Sequence, residues 1–238
     1  MHEYNFFVPP HDIEDDFVFI KGDEYRHCCR VLRKSQGAIV SVFDGKGHKK
    51  EVKLLQEEDS KVRAKVIKNL SQERKVKPSI SIGVGIVRNK AMKLIIDRIT
   101  SLGVDKFTPL EMQNCIKYKF RRDKFMKKSI QAAKQSGTAY LPSIDNNHEI
   151  QEWLENQKRK ELKLIASQEG SQTLSHIYEE HPDVEDVAIL VGPEGGFHDR
   201  EIEMARSLGF IPINIFPFRL RTEVAVTNLI SGLYHFYN

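Results

Sequence analysis

Two stretches of this chain carry residue types at spacings that suit chemistry. In the first, the apolar run Val187-Ala188-Ile189-Leu190-Val191 enters Gly192-Pro193-Glu194-Gly195-Gly196, and a helix is expected from Asp199. Ligands in open α/β sheets settle beyond the carboxyl ends of strands, and glycines there let backbone amides reach a ligand without interference from a Cβ. A plain tight turn is the alternative reading, although such a turn does not need three glycines around a Pro-Glu pair. The second stretch is Phe216-Pro217-Phe218-Arg219-Leu220-Arg221-Thr222-Glu223, with two arginines and a carboxylate where a strand ends and the last helix begins. If the two strands are neighbours, these charges lie beside the glycine turn; structural ion pairing is the competing account.

A third feature concerns charge. Between Cys115 and Lys134, the basic residues Lys117, Lys119, Arg121, Arg122, Lys124, Lys127, Lys128 and Lys134 accompany only one acid, Asp123. Such a run suits a polyanion or a solvated helix face. Other chemistries are excluded. No G-x-x-x-x-G-K-[ST] phosphate loop occurs, and Gly83-Val84-Gly85-Ile86-Val87-Arg88 puts its glycines inside a strand and an arginine where a dinucleotide fingerprint needs its third glycine. Cys28, Cys29 and Cys115 have neither the parity of a disulfide framework nor metal-ligand spacing, so no metal is expected.

The elements that must position these residues fall into two segments. Residues 1–74 read as short strands over Asn5–Val8, Phe17–Ile20, Ala38–Phe43, Lys49–Leu55 and Lys61–Ile67, with a helix over Glu24–Arg33. Val62, Ala64 and Val66 alternate with Lys61, Arg63 and Lys65, a half-buried strand with a basic outer face. A small β-barrel follows. The polar stretch Ser71–Pro78 is the natural linker. In residues 75–238 strands alternate with amphipathic helices: strands over Ser79–Ile86, Lys106–Leu110, Glu161–Ala166, Asp186–Val191 and Ile211–Phe216, and helices over Arg121–Ser136, Ile150–Gln157, Asp199–Leu208 and Thr222–Tyr237. In the first of these strands Ile80, Ile82, Val84 and Ile86 alternate with Ser79, Ser81, Gly83 and Gly85, a second face stripped of bulk so that something can pack close. Asn89 is placed to cap a further helix whose Met92, Ile95, Ile96, Ile99 and Leu102 form one stripe, ending at Gly103. This pattern predicts an α/β fold, a mostly parallel sheet flanked by helices.

With 238 residues, 40% hydrophobic and 29% charged, the chain can bury one large or two modest cores and has no disordered composition. No apolar run approaches the roughly 20 residues of a membrane span, and Met1-His2-Glu3-Tyr4 lacks the opening of a signal peptide, so a cytoplasmic address is expected. The 37 basic and 33 acidic residues leave only +4, too little alone to identify a nucleic-acid protein.

Val191-Gly192-Pro193-Glu194-Gly195-Gly196-Phe197 with Glu201, followed by Leu220-Arg221-Thr222-Glu223-Val224-Ala225, resembles the two C-terminal signatures of the RsmE family, SPOUT-class methyltransferases that act on N3 of a uridine in 16S ribosomal RNA. Phe6-Phe7-Val8, His27 with Arg30-Val31-Leu32-Arg33, Leu102-Gly103-Val104, Pro109-Leu110 and Gln131 to Gly137 (QAAKQSG) extend the resemblance along almost the whole chain. It implies a PUA-like RNA-binding barrel (1–74) and a methyltransferase domain (75–238) with a trefoil knot. S-adenosylmethionine would be held by Ala166 and Ser167, by Leu190, Val191, Gly192, Glu194, Gly195 and Gly196, and by Ile215, Phe216, Leu220 and Arg221. The implied partners are 16S rRNA, in a small-subunit particle, and a second subunit, with the Val226, Leu229, Leu233 face of the last helix contributing to a homodimer. Asn214-Ile215-Phe216 stands where the family carries Ser-Leu-Gly, Ser101 replaces a Glu, Val224 a Thr, His198 a capping Ser, and Asn5 a basic residue.

On this reading Arg221 faces the negative charge that develops on the uracil carbonyls, Glu223 orients Arg221 or accepts the proton, and Glu194 complements the sulfonium. Arg26, Arg30, Arg33, Lys117, Lys119, Arg121 and Arg122 would hold phosphates. Two other readings use the same residues: a SPOUT enzyme acting on tRNA, and a non-catalytic RNA-binding or ribosome-assembly factor.

Overall fold

The computed structural model describes residues 4–70 and 76–238. Its elements run β1 (Asn5–Phe7), β2 (Phe17–Lys21), α1 (Gly22–Tyr25), β3 (Ile39–Phe43), β4 (Lys49–Glu58), β5 (Lys61–Asn69), β6 (Ser79–Gly85), α2 (Asn89–Ser101), β7 (Lys106–Glu111), α3 (Arg122–Ser136), β8 (Ser143–Ile144), β9 (His148–Glu149), α4 (Ile150–Asn156), β10 (Leu162–Ala166), α5 (Leu174–Glu180), β11 (Asp186–Val191), α6 (Asp199–Ser207), β12 (Ile211–Ile213) and α7 (Thr222–Tyr237). The described residues gather into two compact units, residues 4–70 with Ile130–Leu141 and residues 76–129 with Pro142–Asn238. The expected linker, Ser71–Pro78, lies mostly outside the described residues, as does the boundary at 74. No helix among the described residues is long and apolar enough to cross a membrane.

In the first unit the sheet order is β1-β3-β4-β5-β2, parallel between β1 and β3 and antiparallel elsewhere. The period-two alternation in β5 has the predicted sense: Val62 and Ala64 are buried, while Lys61, Arg63 and Lys65 face outward. The helix expected over Glu24–Arg33 starts earlier, as α1, and widens into a π-helical turn over Arg26–Val31; Arg33 then takes a left-handed φ of 51°. Ile130–Leu141 packs in this unit, with Ala133 and Ala139 buried against Phe43. Lys134 Nζ donates to Glu24 Oε2 at 2.8 Å and lies 3.1 Å from His27 Nδ1. The His27 and QAAKQSG motifs therefore meet in one polar contact.

The second unit is built on a parallel sheet, β12-β10-β11-β6-β7-β8, with β9 beside β7. The predicted α2 stripe is fully enclosed at Met92, Ile95, Ile96 and Ile99, and Gly103, with φ 81°, ends the helix. The stripped face of β6 has the role its sequence suggested. A Cβ on Gly83 would lie 2.7 Å from the Leu110 side chain and 2.8 Å from the Trp153 ring, and one on Gly85 would lie 2.6 Å from the Pro193 ring. Packing at that distance is what brings the glycine turn down onto the sheet.

Several expectations need correction. Asn89 is the first helical residue and not the cap; its Oδ1 accepts from Tyr118 Oη and Lys124 Nζ. The strand expected over Ile211–Phe216 stops at Ile213, because Asn214 Oδ1 accepts the Phe216 N–H at 3.1 Å and turns the chain. The Val226, Leu229 and Leu233 face of α7 is buried in this chain's own core, alongside the α2 stripe, so it is not open to a second subunit.

Candidate functional site

The β6 and β7 strands fill one side of the sheet and β10, β11 and β12 the other, and the chain leaving β11 must pass β10 to reach β12. The loops after these last three strands wall a cleft of about 490 Å³ at the strands' carboxyl ends, the position where such sheets bind ligands and a volume typical of small-molecule sites.

Each loop is braced by its neighbours. Ser167 N–H donates to Ile213 O at 3.1 Å, and a Cβ on Gly170 would lie 2.6 Å from the Ile213 backbone, so the loop after β10 lies directly on the chain leaving β12. The glycine turn after β11 is gripped from two sides. Buried Thr222 donates from Oγ1 to Gly192 O at 3.1 Å, and Arg219 donates to Glu194 O at 2.9 Å. From the other side Asn114 Nδ2 donates to Gly196 O at 3.3 Å, and a Cβ on Gly195 would lie 2.9 Å from Asn114 O. Gly195 is thus required by the Asn114 backbone, whereas the sequence reading assigned its lack of a side chain to the ligand. Gly196, at φ 78°, closes the turn through its N–H to Pro193 O.

The helix after this turn begins at a histidine cap. His198 Nδ1 accepts from Arg200 N–H at 3.3 Å while Glu201 Oε2 accepts from His198 N–H at 2.8 Å, so His198 caps the helix at the position where the family carries a Ser. Glu201 is buried, and its Oε1 also accepts Gln113 N–H at 2.8 Å, tying α6 to the segment after β7.

Of the residues expected around a cofactor, Ala166, Ser167, Val191, Gly192, Glu194, Gly195, Gly196, Ile215, Phe216, Leu220 and Arg221 line the cleft. Leu190 does not; its side chain is buried on the sheet face that carries Trp153 and Phe210. Glu223 is also absent from the walls, one residue into α7. Gln168, Glu169, Pro193, Phe197, Ile202, Asn214, Phe218, Arg219, Thr222 and Ala225, which were not among the expected cofactor residues, complete the walls. Phe218, Arg219 and Thr222 had a signal, since they belong to the second stretch singled out above, and Pro193 sits inside the glycine turn; Gln168, Glu169 and Asn214 lie in loops where no periodicity reports side-chain direction.

The electrostatics are asymmetric. Arg221 is exposed at the start of α7, and its guanidinium has no hydrogen-bond or ion-pair partner among the described residues; only its carbonyl is used, accepting from Val224 and Ala225 N–H. The N-terminal end of α7, with its unpaired amides and positive dipole end, opens at the same place. The Glu194 carboxylate is exposed on the cleft wall and likewise lacks a side-chain partner among the described residues. One wall thus suits developing negative charge and the glycine turn offers a carboxylate to positive charge.

The basic candidates divide. Lys117, Lys119 and Arg121 are exposed with no side-chain partner among the described residues. By contrast Arg122 Nε donates to Ile144 O at 2.6 Å, Lys124 binds Asn89, and Lys128 pairs with Asp97 at 2.7 Å. In the first unit Arg30 is held by Glu57 and Tyr25, Arg26 lies 3.7 Å from Asp23, and Arg33 is exposed. Asn5 holds an enclosed Oδ1 without a hydrogen-bond partner among the described residues. The thiols are pushed up by burial, Cys28 to about 12, with the Cys29 thiol adding to the effect; Cys29 and Cys115 are raised by burial too.

Relatives with the same architecture place this geometry. The small-subunit ribosomal RNA methyltransferase E of Bacillus subtilis is 25% identical over 98% of this chain and 96% of its own. That of Buchnera aphidicola from Acyrthosiphon pisum is 25% identical over 95% and 92%. The crystal structure of the Neisseria gonorrhoeae ribosomal RNA small subunit methyltransferase E bound to S-adenosyl methionine superposes with a TM-score of 0.88 at 25% identity, covering 98% of this chain and 97% of that one. Residues 20–67 match the RNA methyltransferase PUA domain. Because residues 73–233, which contain every loop of the cleft, match the RNA methyltransferase domain, the chain belongs to that family.

Proposed function

We propose that this protein methylates N3 of a uridine in 16S ribosomal RNA with S-adenosylmethionine as methyl donor. One observation carries the reading: the three interlocked loops at the strand ends wall a nucleoside-sized cleft that pairs an exposed carboxylate, Glu194, with an exposed guanidinium, Arg221. The fit to the donor is chemical. Backbone amides and carbonyls of the glycine turn suit the edges of an adenosine, apolar Val191, Ile215 and Leu220 suit its body, and Glu194 suits a sulfonium.

When bound, S-adenosylmethionine supplies an electrophilic methyl and leaves as a neutral thioether. Uracil N3 gives up its proton as the new N–C bond forms and the S–C bond breaks, and the charge passing through the ring spreads onto the flanking carbonyl oxygens. Arg221 and the amides opening α7 meet that charge. The proton leaves to water, and Glu223, two residues after Arg221 but off the walls and without a contact to its guanidinium, takes no part in the transfer. Thr222 and Arg219 hold the glycine turn in register, so that positioning, the main requirement of such a transfer, is built into the chain.

Residues 1–74 serve as the RNA-binding domain and 75–238 as the transferase, whose threaded C-terminal segment forms the trefoil knot; the close approach of Gly170 to the Ile213 backbone supports that threading. Phosphates are held by Lys117, Lys119, Arg121 and Arg33. A homodimer in the cytoplasm is the working form. Incubation with labelled donor and small-subunit particles tests the reading: incorporation into 16S rRNA as 3-methyluridine is expected, and donor binding without any incorporation into RNA would leave the non-catalytic assembly factor standing.

A further inference from the structure

We propose that Phe218, with Phe216 beside it, forms a stacking platform for an RNA base that neighbours the target nucleotide. The inference rests on the methyltransferase reading above and adds a residue that positions the RNA strand. In the loop between β12 and α7 the Asn214 turn and Pro217 fix the backbone, and Arg219 anchors it to Glu194 O at 2.9 Å. From this braced loop the two rings project together, their centroids 6.0 Å apart and tilted by 58°. Both line the cleft, yet Phe216 is 46% and Phe218 72% exposed, the latter more than any other large apolar side chain among the described residues.

Two phenyl rings left in water at the rim of a cleft mark a binding surface, and the neighbouring charges identify its occupant. Arg219 and Arg221 follow Phe218 in the chain, and Arg221 has no acidic partner among the described residues. A nucleobase stacks on an aromatic face while its phosphates satisfy arginine, which a second protein surface does only where it brings acids. The cofactor is the weaker candidate for Phe218, since the amide-rich turn that suits it lies at the strand ends and Phe218 lies furthest into solvent. The tilt between the rings leaves the outer face of Phe218 open to one base.

The test uses the full chain with Phe218→Ala, Phe218→Leu and Phe218→Tyr. Calorimetry measures S-adenosylmethionine affinity, titration with a 16S rRNA fragment measures RNA dissociation, and light scattering measures subunit state. The Ala and Leu variants should bind RNA about 5- to 150-fold more weakly, while Tyr should restore binding to within about twofold and cofactor affinity, although Phe218 lines the cleft, should change far less than RNA binding in all three. Leu equal to wild type would reduce the ring to apolar bulk, a loss confined to the cofactor would assign it to the donor, and a shift from dimer to monomer would make it a subunit contact; each overturns the proposal. An inactive wild type would remove the methyltransferase reading separately, because the RNA dissociation constants are read without turnover.

Discussion

Replacing Arg221 by alanine should slow methyl transfer while leaving the fold intact. The guanidinium has no partner among the described residues and is exposed, so its removal leaves no buried group unsatisfied and should change the melting temperature by little. Its contribution arises when a uracil in the cleft becomes anionic. A donor aimed at developing charge in a dry site is worth about 2.7–4 kcal/mol, or roughly a hundred- to a thousandfold in rate. The cleft is open in the free chain, so RNA must cover it before the full figure applies, and the lower end, about a hundredfold, is expected. Arg221→Lys retains charge but not the planar fork and should recover part of the loss. Single-turnover methylation at saturating donor and RNA isolates the step. A lysine variant at the wild-type rate, or a loss confined to donor affinity, would refute the assignment.

Thr222→Val removes the hydroxyl that satisfies buried Gly192 O, and a carbonyl left so should cost about 1–3 kcal/mol, read as a lower melting temperature with weaker donor binding; full stability and affinity would show the brace to be dispensable. Charge reversal at Lys117, Lys119 and Arg121 should weaken RNA binding and flatten its salt dependence by about one unit of slope per lost phosphate contact. The same change at Arg122 should also lower stability by breaking its bond to Ile144 O, and denaturant unfolding separates the two effects. Because burial raises the Cys28 thiol from 9.0 to about 12, iodoacetamide at pH 8 should label it only after unfolding. Cys28's contribution to stability is complete below pH 9.0 and lost as pH rises toward 12; rapid native labelling of Cys28 would contradict this.

The sequence announced most of the frame because its strongest patterns are ones that burial imposes. The α2 stripe, the alternation in β5 and the bare face of β6 each follow from which side of an element must face a core. Where burial is slight the signal fades. Only Ile177 is buried in α5, too little for a stripe, and β8 and β9 are two residues each. Periodicity on α7 identified Val226, Leu229 and Leu233 as one apolar face but cannot say whether the same chain or another covers it. The glycine turn was legible as a site, yet the direction of the missing Gly195 Cβ, toward Asn114, depends on a segment some eighty residues away. His198 stands at the capping position in place of a Ser, but that it caps requires an imidazole nitrogen to accept, a property of ring orientation and not of residue type.

Mass spectrometry of 16S rRNA from cells lacking this gene tests the central claim most directly. One 3-methyluridine should disappear, return when the wild-type chain is supplied, and stay largely unmethylated with Arg221→Ala. An unchanged 16S modification pattern, or the loss of a methyl group from tRNA instead, would contradict the account.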